Sequence, residues 1–127
     1  MAEHTNSLGV HGWYGVDLDG TLAHYDRWRG AGHIGEPIMP MVWRIQKWLA
    51  EGNRVKIFTA RVAPHPKATL SPEELTEIIQ AWCLENIGTA LEVTCVKDFG
   101  MIELWDDRVV RVKLNFGEPC CENHNYH

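Results

Sequence analysis

The sequence predicts an α/β fold: a single domain with a mainly parallel sheet of about five strands. Short apolar, strand-like runs alternate with segments of helical periodicity, which is typical of parallel strands joined by helices. The 127 residues are 45% hydrophobic and 23% charged, which suits one domain with one core. We assign the whole chain, residues 1–127, to this domain, with its core at about residues 13–116 and a flexible tail at about residues 117–127.

The first half of the chain reads as strand, irregular loop, helix and strand. Residues 13–16 are a short apolar run that we interpret as the central strand. Residues 23–40 contain several glycines and prolines and no clear period, which predicts an irregular flap. Apolar residues at helical spacing predict a helix over residues 41–51, with Gly52 at its C-terminal end. The alternating residues 54–59 predict the second strand.

The second half begins with a strong helix-start signal, Ser71-Pro72-Glu73-Glu74. A serine cap, a proline at the first helical position and a glutamate three residues after the cap are typical of a helix N-terminus. An apolar stripe follows, and Gly88 marks the predicted end. Residues 91–96 and 102–105 predict the third and fourth strands, and residues 109–114 predict a short edge strand.

Composition argues against several classes of protein. No apolar run approaches the roughly 20 residues of a transmembrane helix, and the first ten residues lack the features of a secretory signal. We therefore expect a cytoplasmic protein with no membrane partner. The net charge of −5 argues against a broad nucleic-acid-binding face. The tail carries thiol and imidazole groups that could bind a soft metal, but their spacing matches no standard zinc pattern, so a frayed tail or a partner contact is favoured; they are Cys120, Cys121, His124 and His127.

Polar residues fall at or just beyond the ends of the predicted strands. They are Asp17, Thr59, Lys97 and Asp106. Parallel strands would bring them to one edge of the sheet, where ligands bind in open α/β folds. Gly20 permits a sharp turn after the first strand, so that Asp17 and the nearby Asp19 can face one cavity.

These residue types suit phosphate-ester hydrolysis. We predict that Asp17 is a nucleophile that forms an aspartyl-phosphate, and that Asp19 protonates the leaving oxygen and then activates water. Asp17 and Asp106 or Asp107 offer hard oxygen ligands for Mg²⁺. The remaining predicted catalytic groups are Lys97, as a counter-charge, and Thr59, as a hydrogen-bond donor to the transferring group.

At this point the chain resembles a known family, the haloacid dehalogenase (HAD) superfamily. Asp17-Leu18-Asp19-Gly20-Thr21 resembles its first motif, Thr59 its second, Lys97 its third, and the acidic pair in Glu103-Leu104-Trp105-Asp106-Asp107 its fourth. The resemblance covers about residues 13–110, in the right order. A second aspartate two residues after the nucleophile is the mark of the phosphatases and phosphomutases of this superfamily rather than its dehalogenases.

The resemblance implies a three-layer Rossmann-like sandwich and a Mg²⁺ cofactor. The implied metal ligands are Asp17, the backbone carbonyl of Asp19, Asp106 and Asp107. We favour Asp106 over Asp107 as the direct ligand and leave the choice open. The predicted substrate-binding residues are Gly20, Thr21 and Arg61. Each residue also has a plainer interpretation, such as a solvated Lys97, a surface Arg61 or a Thr59 that is only a strand former.

The segments in which this superfamily inserts a cap domain are short here. Residues 23–40 leave room for a flap only, and residues 61–96 are occupied by a predicted helix and strand. A capless site is open, so either the substrate is large or a neighbouring copy in a homo-oligomer closes the site. We expect a phosphorylated substrate, such as a nucleotide, a polynucleotide end or a sugar phosphate. The exposed aromatic Trp28 on the flap could stack on a base or sugar. The alternative is a non-hydrolysing phosphate- and Mg²⁺-binding or assembly module on the same fold.

Overall fold

The computed structural model describes residues 12–120 and confirms the α/β class. It contains four strands and two α-helices, with a short 3₁₀ turn at Ala60–Val62. In chain order these are β1 (Trp13–Val16), α1 (Met39–Ala50), β2 (Arg54–Phe58), α2 (Pro72–Asn86), β3 (Glu92–Thr94) and β4 (Met101–Trp105). Neither helix in this part of the chain is long and apolar enough to cross a membrane.

The strands form one open sheet in the order β3-β2-β1-β4, and every neighbouring pair is parallel. β1 lies between β2 and β4, as predicted for the central strand, and Val16 pairs with both Ile57 and Trp105. Because the strands are parallel, the residues that follow β1, β2 and β4 emerge at the same edge of the sheet.

Both helices begin within two residues of the positions that the sequence predicts. α1 starts two residues earlier than predicted and takes in Pro40, whose missing N–H costs nothing in the first turn of a helix. Gly52, with φ of 86°, follows its C-terminal end. α2 begins with the predicted capping box: Ser71 Oγ accepts from the Glu74 amide at 3.0 Å, and the Glu74 carboxylate accepts from the Ser71 amide at 3.1 Å.

One hydrophobic core lies between the sheet and the helices. It joins buried side chains of the central strands to those of both helices, including Val16, Ile57, Ile45 and Ile79. The two crossovers, β1–α1–β2 and β2–α2–β3, progress in the same direction along the sheet, so right-handed connections place both helices on the same face. The three-layer arrangement that the resemblance implies therefore stays a prediction, since residues 12–120 contain these two α-helices only.

The predicted edge strand over residues 109–114 is wrong. In its place, Val112 and Pro119 form an isolated antiparallel bridge around a turn in which Asn115 and Gly117 have positive φ. Leu114 is 83% exposed, so the alternating apolar residues meet no neighbouring strand or core within residues 12–120. The sheet of the described chain thus has four strands instead of about five. Of the tail, residues 121–127, with Cys121, His124 and His127, lie outside the described residues.

Candidate active site

The carboxyl ends of β1, β2 and β4 converge on one open pocket of about 680 Å³. The backbone N–H of Asp17 continues the ladder to β4 by donating to the Trp105 carbonyl at 2.9 Å. The Thr59 N–H donates to the Thr94 carbonyl of β3, also at 2.9 Å. We call this the aspartate pocket; its lining is Asp17, Asp19, Tyr25, Trp28, Phe58, Thr59, Ala60, Arg61, Asp106, Asp107 and Arg108.

The turn after β1 depends on Gly20. Its φ of 90° lies in the left-handed region, which side chains disfavour. A Cβ built on Gly20 would lie 2.9 Å from an Asp107 carboxylate oxygen. Gly20 thus does two things that another residue cannot do together: it turns the chain and lets the acidic pair after β4 approach the turn.

We expect Gly20→Ala to lose both stability and site function. The left-handed conformation costs roughly 1–2 kcal/mol with a Cβ, and the added methyl displaces the Asp107 carboxylate. Gly88→Ala is a matched control, because Gly88 also has positive φ, 98°, but no described residue other than its chain neighbours has an atom within 4 Å of the position that its new methyl would take. Thermal melts should fall for both variants. If the acidic residues at this turn hold a divalent cation, calorimetry with Mg²⁺ should show weaker binding for Gly20→Ala only. Equal Mg²⁺ affinity in the two variants would contradict the steric argument.

The Thr21 hydroxyl joins the turn to the acidic pair. Its Oγ1 lies 3.2 Å from Asp17 Oδ2 and 3.2 Å from Asp107 Oδ1, and it accepts from the Asp107 backbone N–H at 3.0 Å. One hydroxyl proton serves one of the two carboxylates at a time. Thr21 was predicted to contact substrate; in this geometry its polar contacts are to the protein, and it fixes the spacing between the two acidic segments.

Three carboxylates meet at this edge. Asp17, Asp106 and Asp107 each offer an oxygen, and these oxygens lie within 4.8 Å of one another. Burial, followed by repulsion from Asp106, raises the pKa of Asp17 from 3.8 to about 8. Like charges about 4 Å apart repel by roughly 4 kcal/mol at an effective dielectric constant of 20. An all-oxygen, acid-rich donor set with this much repulsion fits a hard divalent cation.

Asp19 faces the same pocket and is held by Arg61. The two carboxylate oxygens of Asp19 accept from Arg61 Nε and Nη2, both at 2.8 Å. Arg61 Nη1 donates to the Ala31 carbonyl of the flap at 2.9 Å, and the guanidinium lies 4.9 Å from the Trp28 ring centroid. The Arg61 side chain is only 6% exposed. Although Arg61 was predicted to bind substrate, its guanidinium here ties Asp19 to the flap.

Thr59 is buried beside the pocket and caps the 3₁₀ turn. Its Oγ1 accepts from the Arg61 backbone N–H at 3.2 Å. This bond uses an acceptor lone pair of the hydroxyl and leaves its proton available. Thr59 therefore lies where the sequence predicted, with a donor that can serve a group in the pocket.

Lys97 is not brought into the pocket. Its side chain is exposed, makes no hydrogen bond or ion pair with the described residues, and does not line the aspartate pocket. The sequence suggested a strand ending at Val96, directly before Lys97, whereas β3 ends at Thr94. The intervening turn, in which the Val96 N–H donates to Thr94 Oγ1 at 3.0 Å, carries Lys97 away from the strand end.

Arg108 lines the pocket although sequence reasoning gave it no role there. Its backbone N–H donates to Asp106 Oδ1 at 2.8 Å, and its exposed side chain makes no ion pair within residues 12–120. The signal that could have identified it is its position directly after the acidic pair. Tyr25 and Trp28, which the sequence placed on the flap, also line the pocket and are 46% and 57% exposed.

No family model, curated protein or solved structure matches this chain.

Proposed function

We propose that this chain is a magnesium-dependent phosphomonoester hydrolase of the capless HAD type, on a Rossmann-like fold. One observation carries the proposal: Asp17 at the end of the central strand shares a pocket with Asp19 and lies within 4.8 Å of the Asp106 and Asp107 carboxylates. A nucleophile, a second carboxylate for proton transfer and an acidic metal-binding pair are the groups that this chemistry needs.

Asp17, Asp106 and Asp107 would hold the Mg²⁺ ion, with the backbone carbonyl of Asp19 as a further predicted ligand. Mg²⁺ prefers oxygen ligands and usually keeps several water molecules, which suits an open site with few protein donors. When bound, the ion supplies positive charge that offsets the repulsion between Asp17 and an incoming phosphate.

The chain's own residues account for the proton and bond changes. The Asp17 carboxylate attacks phosphorus and the phosphorus–oxygen ester bond breaks. Asp19 takes up a proton from solvent on the oxygen that Arg61 releases and delivers that proton to the leaving oxygen. Asp19 then accepts a proton from the water that attacks the aspartyl-phosphate, which releases phosphate and restores Asp17. Because Arg61 occupies both oxygens of Asp19, one of these hydrogen bonds must open during turnover. The Thr59 hydroxyl and the Arg108 guanidinium are the groups available to stabilise the phosphoryl oxygens.

The direct test is turnover of 4-nitrophenyl phosphate by the purified chain. We expect release of phosphate that requires Mg²⁺ and stops on chelation, and no turnover by Asp17→Asn. A structure with beryllium fluoride and Mg²⁺ should show the fluoride complex on the Asp17 carboxylate. Turnover that survives Asp17→Asn, or a complex on another residue, would overturn the assignment.

A non-hydrolysing phosphate-binding module is the second candidate, and the Arg61–Asp19 pair favours it. Both oxygens of Asp19 are engaged, and Lys97 lies outside the pocket. This candidate predicts Mg²⁺-dependent binding of phosphate, measurable by calorimetry, without turnover of any phosphate ester.

A further inference from the structure

A second cavity adjoins the aspartate pocket. It has a volume of about 470 Å³ and shares Trp28, Ala60 and Arg61 with the pocket. Sites for small ligands commonly have volumes of roughly 300–1,000 Å³. When the phosphate of a substrate binds at Asp17, its leaving group can occupy this adjoining cavity.

Trp28 forms the boundary between the two spaces. Trp28 lies on the irregular flap and is 57% exposed. Its ring packs against the Arg61 guanidinium, which lies 4.9 Å from the ring centroid. Arg61 is itself fixed by Asp19 and by the Ala31 carbonyl. Arg61, held by its ion pair with Asp19, therefore keeps the exposed ring in place, so a flat aromatic surface is present before any ligand binds.

The rest of the cavity lining selects the kind of leaving group. It is rich in small and aliphatic residues, its basic side chains besides Arg61 are His65 and Lys67, and none of the described residues that line it is acidic. A lining without carboxylates disfavours cationic leaving groups such as choline. A polyol would find few polar side chains besides the basic groups and Thr69 on such a surface, so the lining favours it less. A flat, largely apolar ring system with a few acceptor atoms fits both the lining and the tryptophan.

We propose that the leaving group is a nucleoside, with its base stacked on Trp28 in this cavity and its phosphate at Asp17. The inference rests on the proposed phosphatase function and narrows its substrate to nucleotides. Bases of any identity present a stacking face, so the site should discriminate nucleotides from other phosphate esters more strongly than one base from another.

The test compares nucleoside 5′- and 3′-monophosphates with glycerol 3-phosphate as substrates. We expect Trp28→Ala to lower kcat/KM for the better nucleotide isomer by roughly 10- to 100-fold, mostly through KM, because stacking on an aromatic residue is of this order. Turnover of glycerol 3-phosphate should fall much less, because glycerol has no base to stack on Trp28, so the variant should lose mainly its preference for nucleotides. Trp28→Phe should keep most of the nucleotide preference. Trp43→Ala is the matched control, because Trp43 is also exposed, at 61%, but lies on α1 and lines neither space.

A binding measurement separates this inference from the phosphatase proposal. Calorimetry on Asp17→Asn protein should detect a nucleoside monophosphate in the presence of Mg²⁺, and the added Trp28→Ala change should weaken that binding by the same factor. Nucleotide binding without turnover of any ester in the wild-type chain would overturn the phosphatase proposal and support the nucleoside site. Ester turnover with no nucleotide preference and no effect of Trp28→Ala would overturn the nucleoside site and leave the phosphatase proposal intact. Neither binding nor turnover would overturn both.

Discussion

Asp17→Asn is expected to abolish phosphate-ester turnover and, at the same time, to stabilise the metal-free protein. In the proposed mechanism Asp17 is the nucleophile, so its removal should lower turnover by more than roughly 10³-fold. The gain in stability follows from the pocket itself, where burial and the neighbouring Asp106 and Asp107 raise the pKa of Asp17 to about 8. The side-chain amide of the variant carries no charge, so Asp106 and Asp107 do not repel it.

The effect of pH on stability has a definite sign. Between about pH 4 and pH 8 the Asp17 carboxyl keeps its proton in the folded metal-free chain but is ionised in the unfolded chain. The free energy of unfolding therefore falls as the pH rises through this window and stops falling above about pH 8. Allowing for solvent screening at this partly exposed group, we expect Asp17→Asn to be about 1–3 kcal/mol more stable at pH 8 and nearly equal to wild type at pH 4.

Urea denaturation in the presence of a chelator at both pH values measures this difference. Glu77→Gln, on the exposed face of α2, is the control for the carboxylate-to-amide change and should alter neither activity nor the pH slope. In the proposed function Asp17 is a ligand of the ion, so Mg²⁺ should stabilise the wild type more than Asp17→Asn. If Asp17→Asn is less stable than wild type at pH 8, the inference that burial and charge repulsion at Asp17 destabilise the folded chain is wrong.

Arg61→Gln is expected to lower kcat by roughly 10²-fold while KM changes little. Arg61 contacts Asp19 and the flap, so its loss should misplace the carboxylate that we propose transfers the proton. General acid–base catalysis contributes about 10²- to 10⁴-fold. A residue that bound substrate equally in ground and transition states would raise KM with kcat unchanged. Steady-state kinetics with glycerol 3-phosphate, which has no base to contact Trp28, therefore distinguish a positioning role from the substrate-binding role that the sequence suggested.

The same variant should cost stability, since it leaves Asp19 without its partner. Breaking a fully buried ion pair costs about 3–5 kcal/mol. The Arg61 side chain is 6% exposed but that of Asp19 is 22% exposed, so water can solvate the carboxylate in part and we expect a loss of about 1–3 kcal/mol. Arg54→Gln is a matched control: Arg54 forms an equally close two-bond pair with Glu92, at 2.8 and 2.9 Å, but both side chains are half exposed. We expect it to cost about 0–1 kcal/mol and to leave kcat unchanged. Equal losses in the two variants would contradict the special role of the Arg61 pair.

Local signals predicted the elements that carry the pocket. The capping box at Ser71 and the glycine after α1 act over a few residues, so they can be identified without knowing what packs against them. The apolar run before Asp17 similarly identified the central strand, which pairs on both sides. The edge strand failed because alternation alone does not supply a neighbouring strand, and Leu114 remains 83% exposed.

The α/β class and the turn that presents Asp17 and Asp19 could be predicted from short stretches of sequence, because strand alternation, helix caps and a positive-φ glycine depend on neighbouring residues. The partners of those carboxylates could not, because they come from distant parts of the chain. Arg61 meets Asp19 across 42 positions, and Thr21 meets Asp107 across 86. Such contacts depend on how the sheet brings distant loops together and on where each strand ends, as the turn between β3 and Lys97 shows. The same long-range packing created the cavity beside Trp28, which no single segment of the chain encodes.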